Sequence, residues 1–274
     1  MIMKIMRICV AVITALVTVV FLIVVITTKV KTDKTIPVIT VDDGILEVSV
    51  KAKEDALLEG VYATDEKDGD ISDRLLVESI GRFTEKGYCK ITYAVSDYDN
   101  HVATATRKIH YTDYTSPKFT LSKPLLFSIY DVVDTTGRVG ATDCLDGNIS
   151  QNVIIYSPDF EEGDEGKFSL QANVTNSKGD SSQIVLPMIV EKQAKGAPEI
   201  HLNKYLIYVK KGKDAPDWHK YIDETVDSTG LEADLKIEVK TNFDKNKPGI
   251  YTVDYYGTDS KKIKGHTVLI AVVE

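Results

Sequence analysis

The chain has 274 residues, 43% hydrophobic and 27% charged, which is the balance of a globular protein and excludes disorder over most of its length. Its formal net charge is −8; with Lys4, Arg7, Lys29, Lys31, Lys34 and Asp33 set aside, residues 35–274 hold 28 basic and 40 acidic side chains, a balance of −12. Such a surface disfavours nucleic acid and anionic lipid as partners, and three cysteines at non-equivalent positions, Cys9, Cys89 and Cys144, exclude a disulfide framework.

The first element is apolar. Ile8 to Thr28 carries no charge and is long enough to cross a hydrocarbon core of about 30 Å as a helix. A cleaved signal peptide is the alternative, but its apolar region would be shorter, about 7 to 15 residues, and no Ala-x-Ala lies near Thr28. The expectation is a cytoplasmic segment 1–7 and a single-pass anchor 8–28. Lys4 and Arg7 before the span are balanced by Lys29, Lys31 and Lys34 after it, so the flanks do not set the orientation. The long β-rich remainder does, and it is expected outside the cell membrane. Ala11 with Ala15, and Thr14 with Thr18, stand at i, i+4 and could let two helices approach; the oligomeric state stays open.

Beyond the span the chain is rich in short runs of Val, Ile, Thr and Tyr without sustained helical periodicity, which predicts an all-β body. It is also a tandem array. Ala63-Thr64-Asp65-Glu66-Lys67-Asp68-Gly69-Asp70-Ile71 returns as Ala141-Thr142-Asp143-Cys144-Leu145-Asp146-Gly147-Asn148-Ile149, displaced by 78 residues. Pro37, Pro117 and Pro198 each lead an apolar strand, at spacings of 80 and 81, close to the length of one immunoglobulin-like sandwich. Three modules are expected, over 36–113, 116–192 and 197–274. The short connectors, Thr112–Ser116 and Lys192–Ala197, predict a semi-rigid rod reaching on the order of 100 Å.

Within each module a glycine opens an alternating strand, so that Cys89, Ile91, Tyr93 and Val95 share one face, as do Phe168, Leu170, Ala172 and Val174, and Tyr251, Val253 and Tyr255. Cys89 therefore reads as packing rather than as a nucleophile. Asp97, Asn176 and Asp259 follow ten residues after the glycine in polar turns, as a tight hairpin between the last two strands requires.

These features together, Pro-x-Ile, the Ala-Thr-Asp-x-x-Asp-Gly-Asp-Ile ladder, Gly-x-Tyr/Phe and the Ser-Asp-x-x-Asn turn, resemble the bacterial immunoglobulin-like repeat modules of the pesticidal crystal protein, DUF5011 and HYR-like groups. The first repeat matches from Pro37 to Asp113. The second keeps Ala141-Thr142-Asp143 and Asp146-Gly147-Asn148-Ile149 but has Asn176-Ser177-Lys178-Gly179 in place of the Asp turn. The third is degenerate, with Val226-Asp227-Ser228-Thr229-Gly230 where the Asp-Gly-Asp should stand. The resemblance implies three tandem β-sandwiches and a role in display and contact at the cell surface more than in chemistry.

Two groups of residues are candidates for function. Asp65, Asp68 and Asp70 with Asp97 and Asp99 place oxygen ligands at short spacing, as calcium would need, although the spacing is not that of an EF-hand; the alternative is a turn whose aspartates cap backbone amides. Trp218 and Tyr221 stand where the other repeats hold aliphatic residues or glycine, and either grip a partner or plug the open end of the sandwich. No nucleophile elbow, His-Glu-x-x-His, phosphate loop or Cys-x-x-Cys is present, and His101, His110, His201, His219 and His266 are scattered. The chain is expected not to be an enzyme and to need no cofactor beyond the calcium alternative. It is expected to serve as a membrane-anchored extracellular binding or adhesive stalk for protein or cell-wall glycan, or alternatively as an accessory subunit of an envelope-assembly or secretion complex.

Overall fold

The structure is a computed structural model describing residues 2–31 and 34–274; Met1, Thr32 and Asp33 lie outside the described residues. Helix α1 spans Ile2–Lys31 and contains a 21-residue stretch, Met6–Ile26, that is long and apolar enough to cross a membrane. The hydroxyls of Thr14 and Thr18 donate to the carbonyls of Val10 and Thr14, each at 2.8 Å. This i−4 bonding occupies the hydroxyls within their own helix.

The remainder is all-β, with a short helix α2, Glu54–Leu57, in the first module. The first module comprises β1 (Val38–Val41), β2 (Leu46–Val48), β3 (Val61–Asp65), β4 (Gly69–Asp70), β5 (Leu76–Glu85), β6 (Tyr88–Ser96) and β7 (Val102–Tyr111). The second comprises β8 (Lys118–Leu121), β9 (Leu126–Ser128), β10 (Val139–Asp143), β11 (Gly147–Asn148), β12 (Ile154–Tyr156), β13 (Gly166–Thr175) and β14 (Ser181–Glu191). The third comprises β15 (Glu199–Leu202), β16 (Leu206–Val209), β17 (Ile222–Val226), β18 (Lys236–Thr241), β19 (Gly249–Thr258) and β20 (Lys264–Val273).

All three use one topology. A smaller sheet, β1-β3-β4, β8-β10-β11 or β15-β17, faces a four-stranded sheet, β2-β7-β6-β5, β9-β14-β13-β12 or β16-β20-β19-β18. The opening strand changes sheets each time: β1, β8 and β15 pair antiparallel in the small sheet, while β2, β9 and β16 pair parallel to the last strand of the large one. These are immunoglobulin-like sandwiches. The alternating faces point inward as their period dictates: Cys89, Ile91, Tyr93 and Val95 are at most 1% exposed, and Leu170, Ala172, Val253 and Tyr255 are fully enclosed. The thiol of Cys89 is core packing, whereas Cys144 is exposed.

The chain forms two compact units, Met1–Thr112 and Asp113–Glu274. The second unit corrects the expected rod. Glu191, which ends β14, bonds His266 near the start of β20, while Lys118, which begins β8, pairs with Glu274 after the end of β20. The Tyr208 hydroxyl meets both the N–H and the carbonyl of Phe119, at 3.0 and 3.3 Å, and Leu126 and Ile189 bury together with Val268. End-to-end stacking would hold Lys118 and Glu274 two strand lengths apart, on the order of 60 Å. The second and third modules instead fold back side by side, their last strands running in opposite directions, because an apolar seam between them outweighs the stiffness of the short connector Lys192–Ala197.

Candidate functional site

The acidic ladder forms a repeated joint between two turns. Asp65 accepts from the amides of Lys67 and Asp68 at 2.9 and 3.0 Å, and Asp143 accepts from those of Leu145 and Asp146 at 2.8 and 3.0 Å. Gly69 and Gly147 follow with φ of 79° and 70°, the left-handed conformation that a side chain resists. Asp68 then reaches across to the last hairpin and accepts from the Tyr98 amide at 3.0 Å, as Asp146 does from the Ser177 amide at 2.6 Å. Asp70 caps Ser72 at 3.0 Å, and Asn148 caps Ser150 at 3.0 Å.

In the hairpin itself Asp97 is fully buried, with one oxygen on the His101 amide at 2.7 Å and the other on the imidazole at 2.6 Å. Burial works against the charge of Asp97, but these bonds bring its carboxyl below the usual carboxylate range. Asp99 pairs with Lys67. Each of the five aspartates thus has a protein donor, and the geometry supports the capped turn. Among the described residues no group of three or more His, Cys, Asp or Glu is arranged to hold a metal ion.

The departures of the second and third repeats become physically clear. Asn176 donates to Asp143 at 3.1 Å and to the Tyr114 hydroxyl at 2.8 Å, while its carbonyl accepts from the amides of Lys178 and Asp180. An ionised carboxylate could only accept, so Asn stands beside the buried Asp143 and donates to it. Tyr114 in turn donates to Asp180 at 2.7 Å, fastening the segment that enters the second module. Burial, with Asp180 beside it, holds the Tyr114 hydroxyl far above the ordinary tyrosine range. Sequence reasoning missed Tyr114; its signal was an aromatic in a connector three residues before the module proline. In the third repeat donor and acceptor exchange places: Asp259 of the hairpin accepts from the Ser228 hydroxyl at 2.5 Å, so the joint persists without Asp-Gly-Asp.

Trp218 and Tyr221 bracket a 3-10 turn, Trp218–Tyr221, opened by Asp217 accepting from the His219 amide. Both are partly buried and pack on the core. The indole stands edge-on to Phe243 at 5.4 Å and 73°, and Phe243 edge-on to Tyr251 at 5.6 Å. The buried Tyr255 donates to the Trp218 carbonyl at 2.9 Å, as Tyr93 donates to the Leu57 carbonyl at 2.9 Å in the first module. Trp218 therefore occupies the position of Leu57 in α2 and closes the sandwich. Exposed aromatics of the modules lie elsewhere: Tyr62 at 57% on β3, Tyr98 at 67%, stacked under Arg74 at 4.4 Å, Tyr130 at 72%, and Tyr156 at 58% beside the exposed Ile154 on the edge strand β12. Turn and edge tyrosines carry no periodic signature, so nothing in the sequence separated them from the core tyrosines.

No family model matches the chain. The pesticidal crystal protein Cry22Aa of Bacillus thuringiensis is 26% identical over 202 residues, covering 72% of this chain and 27% of that protein. The chain thus spans about a quarter of that relative's length. Among solved structures it is similar to Drosophila N-cadherin EC1-3, with a TM-score of 0.33 and 11% identity over 89% of this chain and 90% of that one. It is also similar to the M60 catalytic domain with CBM51-1 and CBM51-2 domains of Clostridium perfringens ZmpB, with a TM-score of 0.23 and 16% identity over 88% and 31%. Superpositions this loose carry no argument about function. The fold stands on the strand pairing described above.

Proposed function

We propose that this protein is a single-pass membrane protein of the bacterial envelope that displays its three modules, over 36–113, 116–192 and 197–274, on the outer side as a binding or adhesive unit. The observation that carries the reading is the condition of α1. Along Met6–Ile26 none of the described residues is buried, and Ile8, Ile13, Val17, Phe21 and Ile26 are 63, 61, 63, 64 and 58% exposed. An apolar surface of that length suits lipid around it and supports the anchored reading.

An acidic, all-β body of repeated modules joined to such a helix suits contact with protein or wall glycan. The exposed Tyr98, Tyr130 and Tyr156 are better contact candidates than Trp218, which closes a core. The fold-back of the second and third modules gives this pair a shorter reach than two modules stacked end to end.

The test is a cross-linked capture from the protein's own cells, with the full chain and with residues 35–274 alone. Recovery of wall polymer or foreign surface protein by both supports the adhesive reading. Recovery of resident membrane proteins by the anchored form alone would replace it with the accessory-subunit reading.

A further inference from the structure

We propose that the side-by-side packing of the second and third modules is a protonation-gated clasp, in which His266, held as an imidazolium between Glu191 and Asp254, locks the fold-back and releases it in alkaline solution. The inference concerns the shape of Asp113–Glu274 and does not depend on which partner the protein binds.

The geometry demands the proton. The Nδ1 of His266 lies 2.9 Å from Glu191 Oε1, and its Nε2 lies 3.2 Å from Asp254 Oδ1. A neutral imidazole has one N–H and one lone pair, so it would set that lone pair against one of the two carboxylates; only the doubly protonated ring donates to both. The site is partly enclosed, with the His266 side chain 8% exposed, Asp254 17% and Glu191 32%. Tyr256 stacks on the ring at 4.4 Å and 10°, and Gln193 of the connector donates to both Glu191 and the His266 carbonyl. Of the other charges on the neighbouring elements, Lys240 lies over Tyr256 and pairs with Glu238, Glu199 pairs with His201 on β15, which packs against β20, and Lys192, next to Glu191, pairs with Glu165.

The chemistry agrees with the geometry. Burial alone would lower the basicity of His266, but its bonds to Asp254 and Glu191 raise its pKa to about 9. Burial works to raise the Glu191 carboxyl, and the His266 bond and charge bring it below its ordinary value. A histidine raised in this way contributes stability that is complete below the unfolded value near 6.5 and is lost as pH rises through about 9.

Glu191 belongs to the second module, and His266 and Asp254 to the third, so the share of the contribution that rests on Glu191 belongs to the packing of the two modules, while the share that rests on Asp254 stays within the third sandwich. Deprotonation would leave two carboxylates facing one neutral ring beside the seam of Leu126, Ile189 and Val268. Opening would pivot on Lys192–Ala197 and carry Glu274 away from Lys118, converting the folded-back pair into an extended one.

The experiment uses the full chain in lipid nanodiscs, with Cys9→Ser and spin labels on the native Cys144 and on Lys213→Cys, both at exposed positions. Cys144 lies at the end of the second module that faces the far end of the third in the fold-back. One short distance is expected at neutral pH, with a second population tens of ångströms longer above about pH 10. His266→Gln should show the long population already at neutral pH, and His266→Arg, a permanent cation, should stay short throughout.

The histidine resonance lost in His266→Gln should titrate near pH 9 in the unlabelled parent. A midpoint near 6.5, a distance that ignores pH, or a pH-driven opening that persists in His266→Arg would each overturn the clasp. The titration reads the parent protein, so the proposal remains testable if His266→Gln fails to fold.

Discussion

Trp218→Ala separates a plug from a contact residue. The substitution removes an indole that stands edge-on to Phe243 and 6.4 Å from Tyr221, above the Tyr255 hydroxyl bond. A tryptophan buries about 150–250 Å² when fully enclosed; with roughly half of that withdrawn from water, at about 25 cal/mol per Å², the transfer contribution is about 2 kcal/mol. The aromatic pairing adds about 1 kcal/mol, giving a loss of about 3 kcal/mol. For a unit the size of Asp113–Glu274 this lowers Tm by about 6–12 °C. Trp218 is the sole tryptophan, so the emission of the parent protein reports this site alone and should be blue-shifted and shielded from iodide. A red-shifted, freely quenched emission, with an unchanged Tm in Trp218→Ala, would refute the plug and return Trp218 to the surface as a contact residue.

Other outcomes follow from the same coordinates. A Cβ on Gly265 would lie 1.8 Å from the Pro198 carbonyl oxygen, which is backbone and cannot yield, whereas one on Gly81 meets nothing nearer than 3.4 Å. Gly265→Ala should cost at least about 3 kcal/mol by overpacking and Gly81→Ala much less, a contrast that thermal melting reads; equal melting of the two would contradict the close approach of β20 to Pro198. With Asp65, Asp68, Asp70, Asp97 and Asp99 each engaged by a protein donor, Tm should be the same in saturating calcium and in chelator. A rise of several degrees with calcium, abolished in Asp68→Ala, would show that the metal displaces those donors.

Much of the architecture was legible because it repeats. The prolines, the alternating faces and the hairpin aspartates each recur at one spacing, and period-2 burial follows from strand geometry alone. Cys89 could be assigned to the core by comparison with Phe168 and Tyr251, and it lies there at 1% exposure. What the sequence hid is set by contacts between modules and between turns. Nothing local distinguishes His266 from His219, yet one sits in a two-carboxylate clasp and the other is 62% exposed beside Asp217. The fold-back was hidden for the same reason: Val268 reads as an ordinary strand residue, and only its burial against Leu126 and Ile189 shows that the seam exists. The acidic ladder could be read either as cation ligands or as caps, because both uses need clustered carboxylates; the cap bonds are set by amide positions that the sequence alone does not give.

Display of the modules outside the membrane is the central claim, and the cysteines permit a direct test. Cys89 is buried, Cys9 lies in the apolar stretch of α1, and Cys144 is exposed in the second module. Intact cells treated with a membrane-impermeant maleimide should label the full chain at Cys144, with no labelling in Cys144→Ser. Protection of Cys144 until the cells are broken open would place the modules on the inner side and contradict the account.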